Sequence, residues 1–140
     1  MLALYQSDPT TGTKPYPHVS DVLYALQERG DVFAVITNKN LDPAKKILST
    51  CFPNIRFESV YSPDQGWEAK PSQMSILDFR KRHPAETLTY VGDTEIDWQT
   101  AEGVADKTFI ATWGYRTRDE LLAKGVPEST MINDLRQILD

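Results

Sequence analysis

The apolar run at residues 32–36 (VFAVI) constrains the fold more than any other segment. The run is too short for a helix and consists mainly of residues that favour strands. A strand that is apolar at every position is typical of a parallel sheet covered on both faces, because a strand with one solvated face alternates polar and apolar residues. Thr37 and Asn38 follow the run. We therefore expect a buried strand whose carboxyl end carries a hydroxyl and an amide.

Strand-like runs alternate with segments of helical spacing along the rest of the chain. Further strands are predicted at residues 56–61, 87–91 and 108–112, and helices at residues 19–29, 42–48, 72–83, 95–103, 118–124 and 134–139. Asp42 and Pro43 suit the N-cap and the first position of the second helix. This alternation predicts an α/β fold, a Rossmann-like parallel sheet with helices on both faces. A length of 140 residues fits one compact domain.

Charge and composition exclude several classes of function. The formal net charge is -5, with 40% hydrophobic and 25% charged residues. Because the chain has no long basic run, nucleic acid is not an expected partner. No stretch approaches the roughly 20 apolar residues that cross a bilayer, so a membrane is not expected either. The first residues lack a secretory leader, which predicts a cytoplasmic location. The single cysteine, Cys51, has apolar neighbours that disfavour a reactive thiolate.

Polar side chains follow the predicted strands at the edge where a parallel sheet binds ligands. Thr37 and Asn38 follow one strand, Asp93 follows another with Asp97 four residues later, and Lys70 lies in a loop between them. The Thr37 hydroxyl, the backbone amide of Asn38 and the Lys70 ammonium can bind phosphate oxygens, and carboxylate oxygens are ligands that Mg²⁺ prefers. The combination predicts a phosphate and Mg²⁺ site. In the alternative interpretation, Asp93 and Asp97 only cap the following helix.

These segments resemble the motifs of the haloacid dehalogenase superfamily. The second motif is similar to residues 35–39 (VITNK), the third to residues 70–71 (KP) and the fourth to residues 91–97 (VGDTEID). Residues 14–19 (KPYPHV) and 112–116 (TWGYR) resemble the phosphoglycolate phosphatase branch of that superfamily. The resemblance implies the same α/β core and a phosphatase activity.

The resemblance also implies a role for each candidate residue. Thr37, Asn38 and Lys70 would bind the transferring phosphoryl group, and Lys70 would act as a catalytic residue that stabilises phosphate and nucleophile. Asp93 would ligate Mg²⁺, and Asp97 would support the metal directly or through water. The implied reaction is Mg²⁺-dependent hydrolysis of a small phosphate monoester, with phosphoglycolate among the candidates. A small phosphorylated metabolite is therefore the implied partner.

The family's nucleophile is an aspartate at the end of the first strand, with a second aspartate two residues later, and neither is evident here. In phosphoglycolate phosphatases this motif and a helical cap precede the segment that the chain resembles. We therefore divide the chain into residues 1–15, a remnant of the cap or a replacement strand, and residues 16–140, the core. We favour the interpretation of Leu2, Leu4 and Tyr5 as helix remnants.

In the alternative interpretation, residues 1–5 form a replacement first strand and residues 8–13 (DPTTGT) serve as a degenerate nucleophile loop. Asp8 would then be the attacking residue. Thr10 would replace the general acid and base, and Pro9 would remove an amide where the loop should bind phosphate. Both substitutions make Asp8 a poor candidate.

An unfilled first strand would leave the centre of the sheet open. Either the two neighbouring strands close up, the amino-terminal segment fills the position, or a second copy donates a strand and forms a homodimer. Two functions are consistent with the sequence. The chain is an inactive or incomplete phosphatase, or a non-catalytic relic or binding module with a residual phosphate and metal site. A fragment of a longer protein is a third interpretation, and without a cap the substrate stays undecided.

Overall fold

The computed structural model describes residues 2–4, 19–112 and 116–139. The strands are β1 (Leu2–Leu4), β2 (Phe33–Ile36), β3 (Phe57–Tyr61), β4 (Thr89–Gly92), β5 (Lys107–Ala111) and β6 (Met131–Ile132). The α-helices are α1 (Val19–Glu28), α2 (Leu41–Cys51), α3 (Met74–Arg82), α4 (Glu95–Ala101) and α5 (Arg118–Ala123), and 3-10 helices occupy Pro63–Gln65, Glu128–Thr130 and Leu135–Leu139. Within these ranges the strands form one parallel sheet in the order β3-β2-β1-β4-β5-β6. The predicted α/β class is confirmed.

Strand β1 occupies the centre of the sheet and pairs in parallel with β2 and β4. Leu2 lies opposite Phe33 and Thr89, and Leu4 lies opposite Val35 and Val91. The interpretation of Leu2 and Leu4 as helix remnants is therefore wrong, because both belong to a strand that fills the first-strand position. The neighbouring strands do not close up, and the open position that suggested strand donation is filled. Tyr5 and the proposed nucleophile loop at residues 8–13 lie outside the described residues.

Strand β2 is buried on both faces, as the apolar run predicts. Its four residues are all buried, and alternate side chains enter two different clusters of the core. The first cluster lies against α1 and α2 and contains Val22, Leu23, Leu26, Phe33, Val35, Leu48, Phe52, Ile55, Val91 and Ile132. The second lies against α3 and α4 and contains Ala34, Ile36, Tyr61, Ile76, Phe79, Leu88, Tyr90 and Ala101. Full burial of one large apolar side chain contributes roughly 1.5–3 kcal/mol to the free energy of unfolding. The two clusters therefore stabilise the sheet on both of its faces.

Several element boundaries differ from the sequence-based prediction. Helix α2 begins at Leu41, so Asp42 lies in its first turn instead of at the N-cap position, which Asn40 occupies. The carboxylate of Asp64, from the loop after β3, accepts hydrogen bonds of 3.0 and 3.2 Å from the Leu41 amide and thereby caps this helix. The predicted helix at residues 134–139 is a 3-10 helix, and β6 was not predicted because two residues are too few for a recognisable period.

No helix among the residues that the structure describes combines the length and the apolar character of a membrane-spanning segment. The predicted division at residues 15 and 16 falls outside the described ranges and stays a prediction.

Candidate active site

Thr37 and Asp93 lie at the carboxyl ends of the two strands that flank β1. Leu4, the last residue of β1, is paired with Val35 and Val91, and Thr37 and Asp93 each follow two residues later. Both residues are buried, with 5% and 6% of their surface exposed. The parallel sheet therefore brings a hydroxyl and a carboxylate to the same edge, one on each side of the central strand.

The turn after β2 is held by hydrogen bonds from both sides. The Thr37 amide donates to the Tyr61 carbonyl at 3.0 Å, which extends the pairing with β3 by one residue. The Thr37 hydroxyl oxygen accepts a hydrogen bond of 3.1 Å from the Lys39 amide. Asn38 is exposed, and its Oδ1 accepts a hydrogen bond of 2.8 Å from the Lys70 amide. The structure thus connects the turn after β2 directly to the segment that carries Lys70.

Lys70 places its ammonium in the interior, against the beginning of α4. Its side chain is 2% exposed, and Nζ donates to Asp97 Oδ1 at 2.8 Å. Burial lowers the pKa of Lys70, while the carboxylates of Asp97 and Asp93 raise it, and the result is a pKa of about 8. Lys70 is therefore predominantly a cation at neutral pH, which suits a group that binds phosphate.

Asp97 is fully buried and accepts hydrogen bonds at both carboxylate oxygens. Oδ1 accepts from Lys70 Nζ and from the Tyr90 hydroxyl at 3.1 Å. Oδ2 accepts from the amides of Asp93 and Thr94 at 3.0 and 3.1 Å and from the Thr94 hydroxyl at 3.0 Å. The Thr94 hydroxyl oxygen accepts in turn from the Asp97 amide, which completes a capping box at the start of α4. Asp97 therefore caps the helix, as the alternative interpretation proposes, and also contacts the candidate phosphate-binding lysine.

Two residues that the sequence did not single out shape this arrangement. Tyr90 is fully buried on β4 and directs its hydroxyl to Asp97. Gly92 leaves the space that Asp97 needs, because a Cβ at position 92 would overlap Asp97 Cβ and Cγ and lie 2.7 Å from Oδ2. A tyrosine inside an apolar strand requires a buried partner for its hydroxyl, and this is the signal by which Tyr90 could be found. The requirement for glycine at 92 depends on a tertiary contact that the sequence does not reveal.

An ion-pair cluster fixes the segment after β5 to the first turn of α4. The guanidinium of Arg116 donates two hydrogen bonds of 3.2 Å to the carboxylate of Glu95, and Lys124 Nζ lies 3.9 Å from the same group. Burial raises the pKa of Glu95, but the hydrogen bonds from Arg116 and the charge of Lys124 outweigh burial and lower the pKa below its usual value. The preceding residues of the TWGYR segment, 113–115, lie outside the described residues.

A Mg²⁺ ion held mainly by Asp93 stays a prediction, and the chemistry of the carboxylates is compatible with it. The part of the chain that the structure describes contains no group of three or more His, Cys, Asp or Glu side chains able to hold a metal ion. Mg²⁺, however, typically takes one or two carboxylates and completes its shell with water and substrate phosphate oxygens. Both oxygens of Asp97 already accept hydrogen bonds, which favours a supporting role for this residue.

Asp8, the proposed nucleophile, lies outside the described residues, so its role stays a prediction. Cys51 is half-buried at the end of α2, and burial raises the pKa of its thiol, which opposes thiolate formation.

The chain is similar to a known protein family and to several curated proteins. The family model described as haloacid dehalogenase-like hydrolase matches residues 2–111. Among curated proteins, the phosphoglycolate phosphatase of Aquifex aeolicus (strain VF5) is 32% identical over 141 residues, a match that covers 97% of this chain and 64% of the relative. The phosphoglycolate phosphatase of Cereibacter sphaeroides (strain ATCC 17029 / ATH 2.4.9) is 30% identical. That match covers 82% of this chain and 53% of the relative. The chain thus spans between half and two thirds of these relatives.

The fold also matches solved structures. The D,D-heptose 1.7-bisphosphate phosphatase from B. bronchiseptica, solved in complex with magnesium and phosphate, superimposes with a TM-score of 0.74 at 18% identity. The match covers 99% of this chain and 97% of that protein. At this identity the similarity establishes the common α/β fold.

Proposed function

Because the chain belongs to the haloacid dehalogenase-like hydrolase family, we propose that it carries the phosphate and Mg²⁺ half of a phosphatase site. The proposed reaction is the hydrolysis of a small phosphate monoester. Two of the curated relatives are named phosphoglycolate phosphatases, which supports phosphoglycolate as the first substrate to test. The relatives extend well beyond the region shared with this chain, so the proposal concerns the site and not a complete enzyme.

The observation that carries the proposal is the buried ion pair of Lys70 and Asp97 beside Asp93. A buried charge is costly unless an opposite charge or a ligand compensates it. Removal of one partner of a buried ion pair costs several kcal/mol of stability. Here the pair lies at the carboxyl edge of a parallel sheet, where ligands bind in folds of this class. A cation held beside a carboxylate at that edge supports binding of a phosphate together with a divalent metal.

Each residue would contribute one kind of contact. The Thr37 hydroxyl and the Lys70 ammonium would donate hydrogen bonds to phosphate oxygens, and Asp93 would hold Mg²⁺. Bound Mg²⁺ would neutralise negative charge on the phosphoryl oxygens. Asp97 would position Lys70 and the start of α4 through its hydrogen bonds. These roles follow the family resemblance, and the geometry is compatible with each of them.

The chain has no convincing candidate for the nucleophile. Asp8 is the only acidic residue among residues 1–18, and Pro9 follows it directly. Loss of a nucleophile typically lowers turnover by several orders of magnitude, because the covalent step is then unavailable. We therefore expect the isolated chain to bind phosphate and to hydrolyse phosphate esters slowly or not at all.

A second candidate function is a phosphate-binding module without turnover. Asp97 supports this second function because its carboxylate accepts hydrogen bonds from Tyr90, Asp93 and Thr94. These hydrogen bonds would hold the binding residues in place whether or not a chemical step follows. The two functions share the same binding residues and differ only in hydrolysis. A homodimer stays a prediction, which a molecular mass measurement in solution would decide.

Hydrolysis of a generic aryl phosphate with Mg²⁺ distinguishes the two functions. Activity that Lys70→Met and Asp8→Asn both abolish would support a phosphatase with Asp8 as nucleophile. Activity that Lys70→Met abolishes and Asp8→Asn leaves intact would point to another attacking group. Phosphate binding without turnover at high protein concentration would support the binding module, and neither binding nor turnover would contradict both functions.

A further inference from the structure

The segment that carries Lys70 is attached to the turn after β2 at one point and to the first residue of α2 at another. The Lys70 amide donates to Asn38 Oδ1 at 2.8 Å, across 32 residues of sequence. Earlier in the same loop, the Asp64 carboxylate accepts from the Leu41 amide at 3.0 and 3.2 Å. These contacts link the segment from 62 to 70 with the turn and helix that follow Thr37. The backbone of Lys70 is therefore held by Asn38, a residue of the turn after β2.

The lysine side chain is held at its opposite end by a different element. Its ammonium contacts Asp97 at the start of α4, on the other side of β1 from Asn38. A lysine stem has several rotatable bonds and is costly to immobilise. The Lys70 amide is hydrogen-bonded to Asn38 and its ammonium to Asp97. These two contacts restrict the lysine side chain to a conformation that spans the site.

The chemistry of the contact fixes the orientation of the Asn38 carboxamide. A backbone N–H can only donate, so the atom that faces the Lys70 amide must be the acceptor oxygen of Asn38. The oxygen thus accepts a hydrogen bond within the protein, and the NH₂ group is the part of the side chain that can donate to a phosphate oxygen. Because Asn38 is exposed, its replacement removes no packing from the core.

We propose that Asn38 is a positioning residue that fixes the Lys70 backbone through its side-chain oxygen and so sets where the lysine ammonium meets bound phosphate. The part of this inference that concerns phosphate rests on the proposed function. The link between Asn38 and Lys70 itself does not, since it is a contact within the protein. Asn38 contributes to phosphate binding chiefly through Lys70, in addition to any direct donation from its NH₂ group.

Hydrogen exchange of the Lys70 amide tests the link directly. Loss of one hydrogen bond typically costs about 1 kcal/mol, so Asn38→Ala is expected to accelerate exchange at this amide roughly five- to tenfold. Asn38→Asp retains an acceptor oxygen at the same distance and is expected to restore protection. Ser72→Ala is the matched control, because the Ser72 hydroxyl contacts Glu68 and Met74 in the same region without touching the Lys70 amide.

Affinity for inorganic phosphate, measured by calorimetry, provides the second readout. Asn38→Ala is expected to weaken phosphate binding several-fold, while Ser72→Ala leaves it unchanged. Equal exchange rates at the Lys70 amide in wild type and Asn38→Ala would overturn the proposal, as would an Asn38→Asp variant that exchanges as fast as Asn38→Ala. If the wild type binds no phosphate, the proposed function fails, and the exchange rates still decide whether Asn38 positions Lys70.

Discussion

The Lys70 ammonium donates a 2.8 Å hydrogen bond to Oδ1 of Asp97, and the two side chains are only 2% and 0% exposed. This pair joins the loop after β3 to the first turn of α4. Asp97 has four further side-chain hydrogen bonds, from Tyr90, Asp93 and Thr94. The pair is therefore asymmetric, because the carboxylate has alternative donors that remain when the lysine is removed.

The asymmetry predicts different costs for removing the two partners. Asp97→Asn removes the carboxylate to which the buried Lys70 ammonium donates and is expected to lower the free energy of unfolding by about 3–5 kcal/mol. Lys70→Met leaves a carboxylate that still accepts four hydrogen bonds, so its cost should be smaller. Urea denaturation of both single variants and the double variant measures this. Equal costs, or strictly additive effects in the double variant, would contradict the account of the pair.

Gly92 is expected to tolerate no side chain, because a methyl group would enter the volume of Asp97. Gly92→Ala should therefore displace Asp97 and destabilise the protein by about 1–3 kcal/mol or more. Gly103→Ala is the comparison variant, since a Cβ there meets nothing within 4 Å and only the positive φ of 77° opposes it. Thermal unfolding of both variants tests this expectation. A Gly92→Ala protein more stable than Gly103→Ala would refute the proposed close approach.

Tyr90→Phe removes one donor from Asp97 and leaves the ring in the core. A hydrogen bond to a charged group typically contributes about 1.5–3 kcal/mol, so we expect a loss of stability near the lower value, together with weaker phosphate binding. Tyr61→Phe is the matched control, because the Tyr61 hydroxyl donates to Asp78 at 2.8 Å, outside the site. It should lose stability and keep its phosphate affinity. A reduction of phosphate affinity in both variants would indicate a general effect of destabilisation.

The positions of Thr37, Asn38 and Asp93 could be predicted from the sequence because each residue follows a run that favours a strand, whereas Lys70 lies in a loop. The run at 32–36 locates Thr37 and Asn38, and the strand before Asp93 locates the carboxylates. The central strand appeared only as the alternative interpretation of residues 1–5, since Leu2–Leu4 has three residues and no period that distinguishes strand from helix. The sequence indicates that the Tyr90 hydroxyl needs a buried partner, but the identity of the partners of Asn38, Tyr90 and Gly92 was beyond prediction, because only the folded sheet brings them close.

Asp106 gives a pH-dependent prediction away from the site. Hydrogen bonds from Arg80 and from the Leu88 amide lower the pKa of Asp106 below its usual value of 3.8. A carboxylate whose pKa is lower in the folded state stabilises the protein above its unfolded pKa, and this contribution is lost as the pH falls through the folded pKa. Asp106→Asn should therefore be less stable than wild type at pH 7, and the difference should shrink in strong acid. A pH-independent difference in urea midpoint would contradict this.

We propose that Thr37, Lys70 and Asp93 form a phosphate and Mg²⁺ site, and titration of the isotope-labelled protein with inorganic phosphate detects binding at each of these residues separately. We expect amide resonances at residues 37, 38, 70 and 93 to shift, with tighter binding when Mg²⁺ is present. Asp93→Asn should abolish the effect of Mg²⁺, while Asp106→Asn, far from these residues in the sequence and bonded to Arg80, should retain it. Shifts confined to other parts of the protein, or phosphate binding that ignores both Mg²⁺ and Asp93, would contradict the claim.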